Sequence, residues 1–299
     1  MSFNVVPMPP PQGAANARQS ELARLVEALN VELAGEKIDL PSFPEVATRV
    51  RRALTNELVD VDLVVRIVSA EPALAARLMQ LANSAALNPN GKRFTDLRSA
   101  ISRIGFNMAR SAAIAFAMSQ LRRAEAYKGV GDSLADLWQE SVHVAAMSHV
   151  VARRFTQINA DAALLAGLLQ SVGKLYLLTR AARFPALLAD AGTYQKLVAE
   201  WHGRLAEAIL RNWELSDDIV AAVTAGERAE REHQGATDLG DVLAVASAIS
   251  QLGPGARPAD MLFLGMPAAR RMKLDAEACC AALAESHEAI CSLRQALNA

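Results

Sequence analysis

The chain has few cysteines and few aromatic residues, and their scarcity excludes several classes of protein. Only 3 of its 299 residues are cysteines and only 5% are aromatic. Cys279, Cys280 and Cys291 show no C-x-x-C spacing, so they supply neither a zinc-ligand pair nor a disulfide framework. We expect them to be small, buried side chains of a protein in a reducing compartment.

An excess of charge of one sign is also missing, since the formal net charge is −1. Residues 1–128 carry 16 basic and 12 acidic side chains, and residues 129–299 carry 15 basic and 20 acidic ones. This mild asymmetry favours the docking of two domains, but it is too weak to indicate a nucleic-acid surface. We therefore predict no nucleic-acid partner.

Long apolar runs are absent as well. No uninterrupted stretch of about 18 or more apolar residues appears, so we predict no membrane-spanning segment. The first residues lack a basic region followed by an apolar one, which is the pattern of an export signal. We expect a cytoplasmic protein without a membrane partner.

The abundant residues are those that favour helices. Hydrophobic residues make up 52% of the chain and are mainly Ala, Leu, Val and Ile. Apolar residues recur at three- and four-residue steps, and no segment alternates long enough to demand a strand. The sequence therefore predicts an all-α fold. The predicted helices are 19–33, 44–54, 61–68, 72–82, 97–104, 107–126, 133–156, 160–171, 174–190, 194–212, 216–230, 238–252 and 275–296.

Composition divides the chain into three parts. Residues 1–16 contain four prolines and no charged side chain, which predicts a disordered tail. Residues 17–128 hold the predicted helices of an N-terminal bundle. The run Gly129–Val130–Gly131–Asp132 is a strong loop signal, and it marks the predicted joint to a second helical domain over residues 129–299.

Seven short motifs follow one another along residues 36–255. They are Leu40–Pro44, Glu71–Leu74, Leu81–Ser84, Ser99–Gly105, Leu137–Ser141, Gly167–Lys174, and His202 followed by Trp213. In this order and spacing they resemble the motifs of the HDOD domain, a bacterial relative of the HD and HD-GYP metal phosphohydrolases. The resemblance implies an N-terminal helical bundle packed on a degenerate HD-like helical domain.

Some of these features also have simple structural explanations. Leu40–Phe43 fits an extended apolar segment under the first helices, because a residue before proline avoids the helical region. Asn83 and Ser84 favour the end of a helix, since their side chains compete for backbone hydrogen bonds; a ligand role for Asn83 stays open. The basic residues of this half fit a solvated face better than an anion patch, because acidic residues are interspersed. These residues are Arg49, Arg51, Arg52, Arg103 and Arg110.

The segment Leu164–Leu178 carries the most informative part of the resemblance. It reads LLAGLLQSVGKLYLL. Catalytic HD proteins have G-L-L-H-D-I-G-K at this place, and there the adjacent His and Asp hold a divalent metal. Here Gln170 and Ser171 occupy the two ligand positions. Their amide and hydroxyl supply neutral oxygens, whereas metal-activated water requires imidazole and carboxylate ligands.

The two remaining ligand positions are altered too. Aligned with the family pattern, the first His falls on Glu140 and the last Asp falls near Ser247. One anionic group therefore remains among the four positions, and a cation held so weakly would activate water little. The resemblance thus implies no metal, no cofactor and no catalytic residue in this chain.

Lys174 and His202 complete the predicted vestigial cleft, which we define as Glu140, Gln170, Ser171, Lys174, His202 and Ser247. Lys174 either reaches toward an anion in the cleft or extends from a buried helix to solvent. His202 stands where related sequences also carry His, and it fits either the cleft or the core. His143 and His149 are six residues apart, about 240° around a helix, so they face different directions.

No other catalytic device is visible in the sequence. It has no G-x-x-x-x-G-K-[ST] loop and no G-x-G-x-x-G turn, and no serine has a base beside it. The resemblance therefore implies a non-enzymatic regulatory protein that acts in signal transduction through protein–protein interaction. Two alternatives stay open. One is a receptor for a nucleotide or cyclic dinucleotide in the vestigial cleft, and the other is a residual metal-dependent phosphohydrolase that uses Glu140 and His202.

Overall fold

A computed structural model describes most of the chain. The described residues are 12–35, 38, 45–54, 60–91, 93–225, 233, 235–252 and 257–298. Within these ranges the secondary structure is helical and contains no strand, which confirms the predicted all-α fold.

Five α-helices form the first part of the structure and pack mainly on one another. They are α1 (Gln12–Ala34), α2 (Glu45–Ala53), α3 (Val61–Ser69), α4 (Pro72–Ala82) and α5 (Leu97–Arg123). A 3₁₀ helix, Glu125–Val130, then leads without a break into the next α-helix, which begins at Gly131. The predicted joint at Gly129–Asp132 is thus a tight helical junction.

Ten further α-helices make up the rest of the described chain. They are α6 (Gly131–Phe155), α7 (Ala160–Leu169), α8 (Val172–Ala181), α9 (Pro185–Leu188), α10 (Ala191–Asn212), α11 (Asp217–Ala225), α12 (Leu239–Ser250), α13 (Pro267–Arg271), α14 (Ala276–Glu285) and α15 (His287–Asn298). Two 3₁₀ helices, Pro258–Asp260 and Leu262–Gly265, lie between α12 and α13.

The helix starts follow ordinary capping rules. The side chains of Asp60, Asn159, Asp190 and Asp275 each accept a hydrogen bond from a backbone N–H in the first turn of the helix that follows. Such caps satisfy N–H groups that have no partner within the helix.

Three predicted helix boundaries are wrong. Helix α1 begins at Gln12, inside the segment predicted as a tail, whereas residues 1–11 lie outside the described part. The helix predicted over 174–190 is split into α8 and α9, because Pro185 occupies the first turn of a new helix. The helix predicted over 275–296 is likewise split at Ser286 into α14 and α15. The predicted extended segment Leu40–Phe43 lies outside the described residues.

Helix α5 is sharply bent at Gly105. This residue has φ 78° and ψ 170°, so the helix is interrupted there and resumes in a new direction. A residue with a Cβ rarely adopts such a conformation, and glycine does so without steric cost. The sequence prediction of one helix ending at Gly105 and another starting at about Asn107 agrees with this bend.

One continuous apolar core runs through both parts of the chain. Helix α5 packs on α4 and also reaches α6 and α7, while α15 packs on α6, α4 and α5. At the end of α15 the Oδ1 atom of Asn298 accepts a hydrogen bond of 2.8 Å from the indole N–H of the buried Trp138. Helix α15 therefore contacts both the N-terminal bundle and the second part.

Helix α1 crosses the sequence boundary between the two parts. Arg18 forms an ion pair with Asp190, and a Glu21 carboxylate oxygen accepts a 2.9 Å hydrogen bond from the backbone N–H of Leu187. Near its other end, Glu32 pairs with Arg180 at 2.8 Å. These contacts hold the first helix against α8 and α9 of the second part.

One apolar stretch, Ala160–Ala181, is long enough to cross a membrane by length and composition. It consists of α7, the short turn after it and α8, and 83% of its most apolar window is buried inside the protein. Core helices of soluble proteins share this composition, so the stretch gives only weak support for a membrane span.

Candidate functional site

The turn between α7 and α8 lies in the interior of the second part. Helix α7 is buried on all sides over residues 163–169, and it ends at the half-buried Gln170. Ser171, at 1% exposure, precedes α8. A helix that is apolar all round belongs in a core. The sequence thus places the two altered ligand positions at the buried end of a core helix.

The glycines of this motif are required by helix packing. A Cβ on Gly167 would lie 2.6 Å from the Cα of Ala145, where α7 crosses α6. A Cβ on Gly173 would lie 2.2 Å from the carbonyl oxygen of His202, where α8 crosses α10. Such distances are shorter than van der Waals contact, so both crossings need a residue without a side chain. The HD-like spacing of glycines therefore has a structural reason that does not involve a metal.

Gln170 and Ser247 come together across the site. The Ser247 hydroxyl of α12 donates a hydrogen bond of 3.2 Å to the side-chain oxygen of Gln170. The sequence placed both residues at ligand positions of the HD pattern, although they are 77 residues apart. The structure shows two neutral side chains bonded to each other at this place.

Glu140 is not brought to this pair. Its side chain is exposed on α6, and no hydrogen bond or ion pair connects it to Gln170 or Ser247 in the part of the chain that is described. The neighbouring Ser141 is completely buried instead and donates to the backbone carbonyl of Leu137. Because successive helix residues differ by about 100°, the burial of Ser141 turns Glu140 toward solvent.

Lys174 and His202 lie on neighbouring helices. Lys174 is half-buried on α8. His202 is 2% exposed on α10, directly against Gly173 of the motif. His202 is therefore a core residue at a helix crossing. The sequence had left open whether it lies in the cleft or in the core.

A divalent metal does not fit these residues. Gln170, Ser171 and Ser247 offer neutral oxygens, and the Gln170 oxygen already accepts the Ser247 hydroxyl proton. The carboxylate of Glu140 faces solvent. Tight divalent sites in proteins require carboxylates or imidazoles that converge on one point. In place of a cation, the structure shows a hydrogen bond between two of these neutral side chains.

His143 is a residue of this region whose position the sequence did not indicate. Its half-buried imidazole lies against the backbone of Ser250, one turn beyond Ser247 on α12. Burial and, to a smaller extent, the nearby Arg294 lower the pKa of His143. The helical periodicity of α6 shows that His143 and His149 face different directions. It does not show that α12 and α15 lie next to His143.

A separate cluster of one histidine and two aspartates lies at the start of α12. Among the described residues, His233, Asp238 and Asp241 have side-chain donor atoms close enough together to hold a metal. However, Arg271 of α13 donates to both oxygens of Asp241, at 3.0 and 2.5 Å. Burial raises the pKa of Asp241, but the bonds from Arg271 and the Asp238 backbone outweigh it, so the net shift is downward. The cluster is thus an ion-paired helix cap that joins α13 to α12.

The predicted solvated face of arginines is wrong for Arg110, which is half-buried. Arg103 donates to the carbonyl of Leu87 at 2.9 Å, and the half-buried Arg110 donates to the carbonyl of Leu54 at 2.7 Å. Both arginines therefore hold a backbone segment, and Arg103, Arg49 and Arg52 are exposed as expected.

The cysteines also differ from one another in burial. Cys279 is buried and Cys280 half-buried, as expected for small side chains of a core. Cys291 is exposed, because it lies on the outer face of α15.

Asn83 has a structural role at the end of α4. Its side chain donates to the carbonyls of Met79 and Phe94, at 2.9 and 3.0 Å, and accepts from the Phe94 N–H at 2.8 Å. These bonds close the helix and fix the loop that follows it. All of them are made within the protein, which agrees with the predicted helix end.

The chain is similar to known proteins over most of its length. Residues 40–229 match the sequence model of the HDOD domain. No curated protein matches the chain. Similar crystal structures exist, and the following three represent them.

The first is the "Putative metal-dependent phosphohydrolase" of Shewanella amazonensis SB2B, with a TM-score of 0.69 and 22% identity over 93% of this chain and 99% of that one. The second is an HDOD domain protein with unknown function from Geobacter sulfurreducens, with a TM-score of 0.62 and 18% sequence identity. The match covers 94% of this chain and 98% of that one. The third is a "Putative signal transduction protein" from Marinobacter aquaeolei VT8, with a TM-score of 0.57 and 19% sequence identity. The match covers 96% of this chain and 69% of that one. At these identities the similarity shows the fold alone.

Proposed function

Because the chain belongs to the HDOD domain family, we propose that it is a non-enzymatic regulatory protein that acts in bacterial signal transduction by binding other proteins. We further propose a cytoplasmic location. The single observation that carries the proposal is the hydrogen bond between Ser247 and Gln170, two residues that the sequence comparison aligned at or near metal-ligand positions of the HD pattern. The name of the similar Marinobacter protein, a signal transduction protein, supports the same class of function.

The chemistry of the vestigial cleft supports a non-enzymatic role. Hydrolysis by a metal-bound hydroxide needs a cation that lowers the pKa of water, and this requires several charged or imidazole ligands. Here the amide of Gln170 and the hydroxyl of Ser247 satisfy each other, while Glu140 faces solvent. The similar Shewanella protein is named as a metal-dependent phosphohydrolase, but a name transfers no ligand set to this chain.

A scaffold function is consistent with the fold that remains. The glycines Gly167 and Gly173 preserve the tight crossings of α7 and α8 with α6 and α10. Close packing at these crossings therefore helps to maintain the helical framework. A protein that keeps this shape without a metal can still present a fixed surface to another chain.

The first experiment measures metal content and hydrolysis. We expect purified protein, supplied with Mn²⁺ or Fe²⁺, to retain no stoichiometric metal and to leave bis(p-nitrophenyl) phosphate intact. The control is a variant with three ligand positions restored, Gln170→His, Ser171→Asp and Ser247→Asp, since Glu140 faces solvent. Restoration should raise metal retention, because imidazole and carboxylate ligands replace neutral oxygens. Stoichiometric metal and turnover in the unaltered chain would overturn the proposal and support the residual hydrolase.

The second experiment tests protein binding directly. The tagged chain, expressed at its native level, is isolated from its own organism, and co-purifying proteins are identified by mass spectrometry. Each candidate is then purified and titrated with the chain by calorimetry. A saturable complex supports the proposal. If no purified candidate binds, while AMP or a cyclic dinucleotide raises the melting temperature, the nucleotide-receptor alternative replaces it.

A further inference from the structure

Two adjoining cavities lie away from the vestigial cleft, where the loop after α4, the end of α6 and the α14–α15 turn meet. Their volumes are about 520 and 360 Å³. Four residues line both of them: Ala86, Pro89, His149 and Arg153. Volumes of this size are typical of small-molecule sites in proteins.

His149 presents a buried acceptor to these cavities. Its side chain is 4% exposed, and its Nδ1 atom lies 3.2 Å from the carbonyl oxygen of Ala160. Because a carbonyl can only accept, Nδ1 must carry the proton, and burial lowers the pKa of His149 to about 4. The neutral ring therefore has a bare lone pair on Nε2, and this buried atom has no hydrogen-bond partner among the described residues.

A buried acceptor of this kind calls for a donor. Buried polar atoms in native proteins are nearly always hydrogen-bonded, and leaving one unpaired costs free energy. An apolar residue would fill the position without that cost. Nε2 of His149 is thus available to accept a hydrogen bond from a hydroxyl, amide or amine group within the cavities, in place of a water molecule.

Two arginines provide the complementary charge. Arg153 donates to the carbonyl of Ala86 at 3.0 Å, and Arg103 donates to the carbonyl of Leu87 at 2.9 Å. Each bond uses one of the five N–H groups of a guanidinium and fixes its orientation. No carboxylate of the described residues forms an ion pair with either side chain. Guanidinium groups held in this way are well suited to bind phosphate or carboxylate oxygens.

The charges are distributed unevenly between the cavities. The smaller one is lined by Arg103, Arg153 and the single acid Asp161, whose pKa is raised by burial. The larger one has equal numbers of basic and acidic residues, including an Arg154–Glu285 pair at 3.1 Å. An anionic group is therefore favoured in the smaller cavity, and the neutral remainder of a ligand is favoured in the larger one.

We propose that these cavities bind a small hydroxylated anion, a phosphate or a carboxylate. Its hydroxyl group donates to Nε2 of His149, and its anionic group pairs with Arg103 and Arg153. The site joins the N-terminal bundle, α6 and the C-terminal helices, so an occupant contacts all three. This inference does not depend on the proposed protein-binding function.

Calorimetric titration of the full chain tests the proposal with four probes. Glucose 6-phosphate and gluconate supply a hydroxylated phosphate and a hydroxylated carboxylate, glucose lacks the anion, and inorganic phosphate lacks the carbon-bound hydroxyls. We expect at least one of the first two to bind more tightly than glucose and phosphate do. Their relative affinities tell phosphate from carboxylate as the anionic group.

Variants locate the binding. His149→Asn keeps a donor for the Ala160 carbonyl but has no atom at the Nε2 position, and it should weaken binding about tenfold. His149→Gln places an amide oxygen near that position and should retain most of the affinity. Arg153→Gln should also weaken binding about tenfold. Arg270→Gln, which removes an exposed charge from α13, is the matched control and should change nothing.

Two outcomes would overturn the inference. One is the absence of binding for glucose 6-phosphate and gluconate at millimolar concentration. The other is binding that is equally strong in the His149→Asn and Arg153→Gln variants. The exposed Arg153 variant keeps the test valid if a His149 variant fails to fold. As an independent readout, the ¹⁵N resonance of His149 Nε2 should move when a probe donates to it and should not move with glucose.

Discussion

Single residues decide whether a motif is chemical or structural. In this chain Gly167 and Gly173 lie on either side of Gln170 and Ser171, the altered ligand positions. Both glycines remain necessary because neighbouring helix backbones approach them closely. The motif can therefore persist in a sequence after the ligands have been replaced. Its presence alone is no argument for metal chemistry.

A substitution at Gly173 should show this packing requirement. We expect Gly173→Ala to lower the free energy of unfolding by about 1–3 kcal/mol, because the new Cβ would lie 2.2 Å from the carbonyl oxygen of His202. The matched control is Gly203→Ala on α10, where nothing lies within 4 Å of the added Cβ. It should raise stability by about 0.5–1 kcal/mol, since alanine favours helices over glycine.

Urea denaturation monitored by circular dichroism measures both changes. If Gly173→Ala proved as stable as Gly203→Ala, the α8–α10 crossing would be looser than described. The motif glycine would then need a different explanation.

The sequence predicted part of the candidate site and missed the rest for identifiable reasons. It placed Gln170 at one ligand position and the last ligand near Ser247, and the structure joins these two side chains by a hydrogen bond. It could not show that Glu140 faces solvent, since that depends on how α6 is rotated against its neighbours. The sequence also could not show that Nε2 of His149 is a buried acceptor, because the residues around it come from distant segments of the chain.

At the level of helices, the prediction was good where periodicity and capping residues were strong. The starts of α3, α4 and α7, predicted at residues 61, 72 and 160, agree with the structure. The splits at Pro185 and Ser286 were missed because the apolar pattern continues across both. At Pro185 the break nevertheless has a local cause, because proline is favoured in the first turn of a helix and disfavoured in its interior.

The attachment of helix α1 to α8 can be tested through a single residue, Glu32. Glu32 pairs with Arg180 and accepts the Tyr176 hydroxyl proton. Burial, followed by the hydrogen bond to Glu32, raises the pKa of Tyr176. We expect Glu32→Gln to weaken the attachment of α1 by about 1–2 kcal/mol, because a charged acceptor bonded to two donors is lost.

Hydrogen exchange of the α1 amides measures this change. The amides near residue 32 should exchange about tenfold faster in Glu32→Gln, because about 1.4 kcal/mol corresponds to a factor of ten. Glu27→Gln on the exposed face of α1 is the control and should leave exchange as it is. In a double-mutant cycle, Tyr176→Phe should add little once Glu32 is replaced. Equal exchange in all variants would show that apolar contacts alone hold the helix.

For the whole molecule, stability should depend on pH through His149. Burial lowers its folded-state pKa to about 4, whereas the unfolded chain has the ordinary value of 6.5. Between these values the unfolded state binds the additional proton. The stabilisation is therefore complete above pH 6.5 and falls by about 3 kcal/mol as the pH drops to 4.

Urea titrations from pH 7 to pH 4 provide the measurement. The His149→Asn variant should lose most of this dependence, because asparagine does not titrate and can still donate to the Ala160 carbonyl. His143, whose pKa is also lowered, contributes a change of the same sign and stays in both proteins. An unchanged pH profile in the variant would contradict the buried, neutral state of His149.

Helix α15 limits where the chain can be divided. It lies beyond residues 40–229, the span of the family match. Nevertheless, its Asn298 accepts from the Trp138 indole, and its Ser292 hydroxyl accepts from the Ala85 backbone at 3.0 Å. A fragment cut at residue 229 would expose those two donors and the apolar residues beneath them. Expression of residues 40–229 by themselves should therefore give a less soluble product than the full chain.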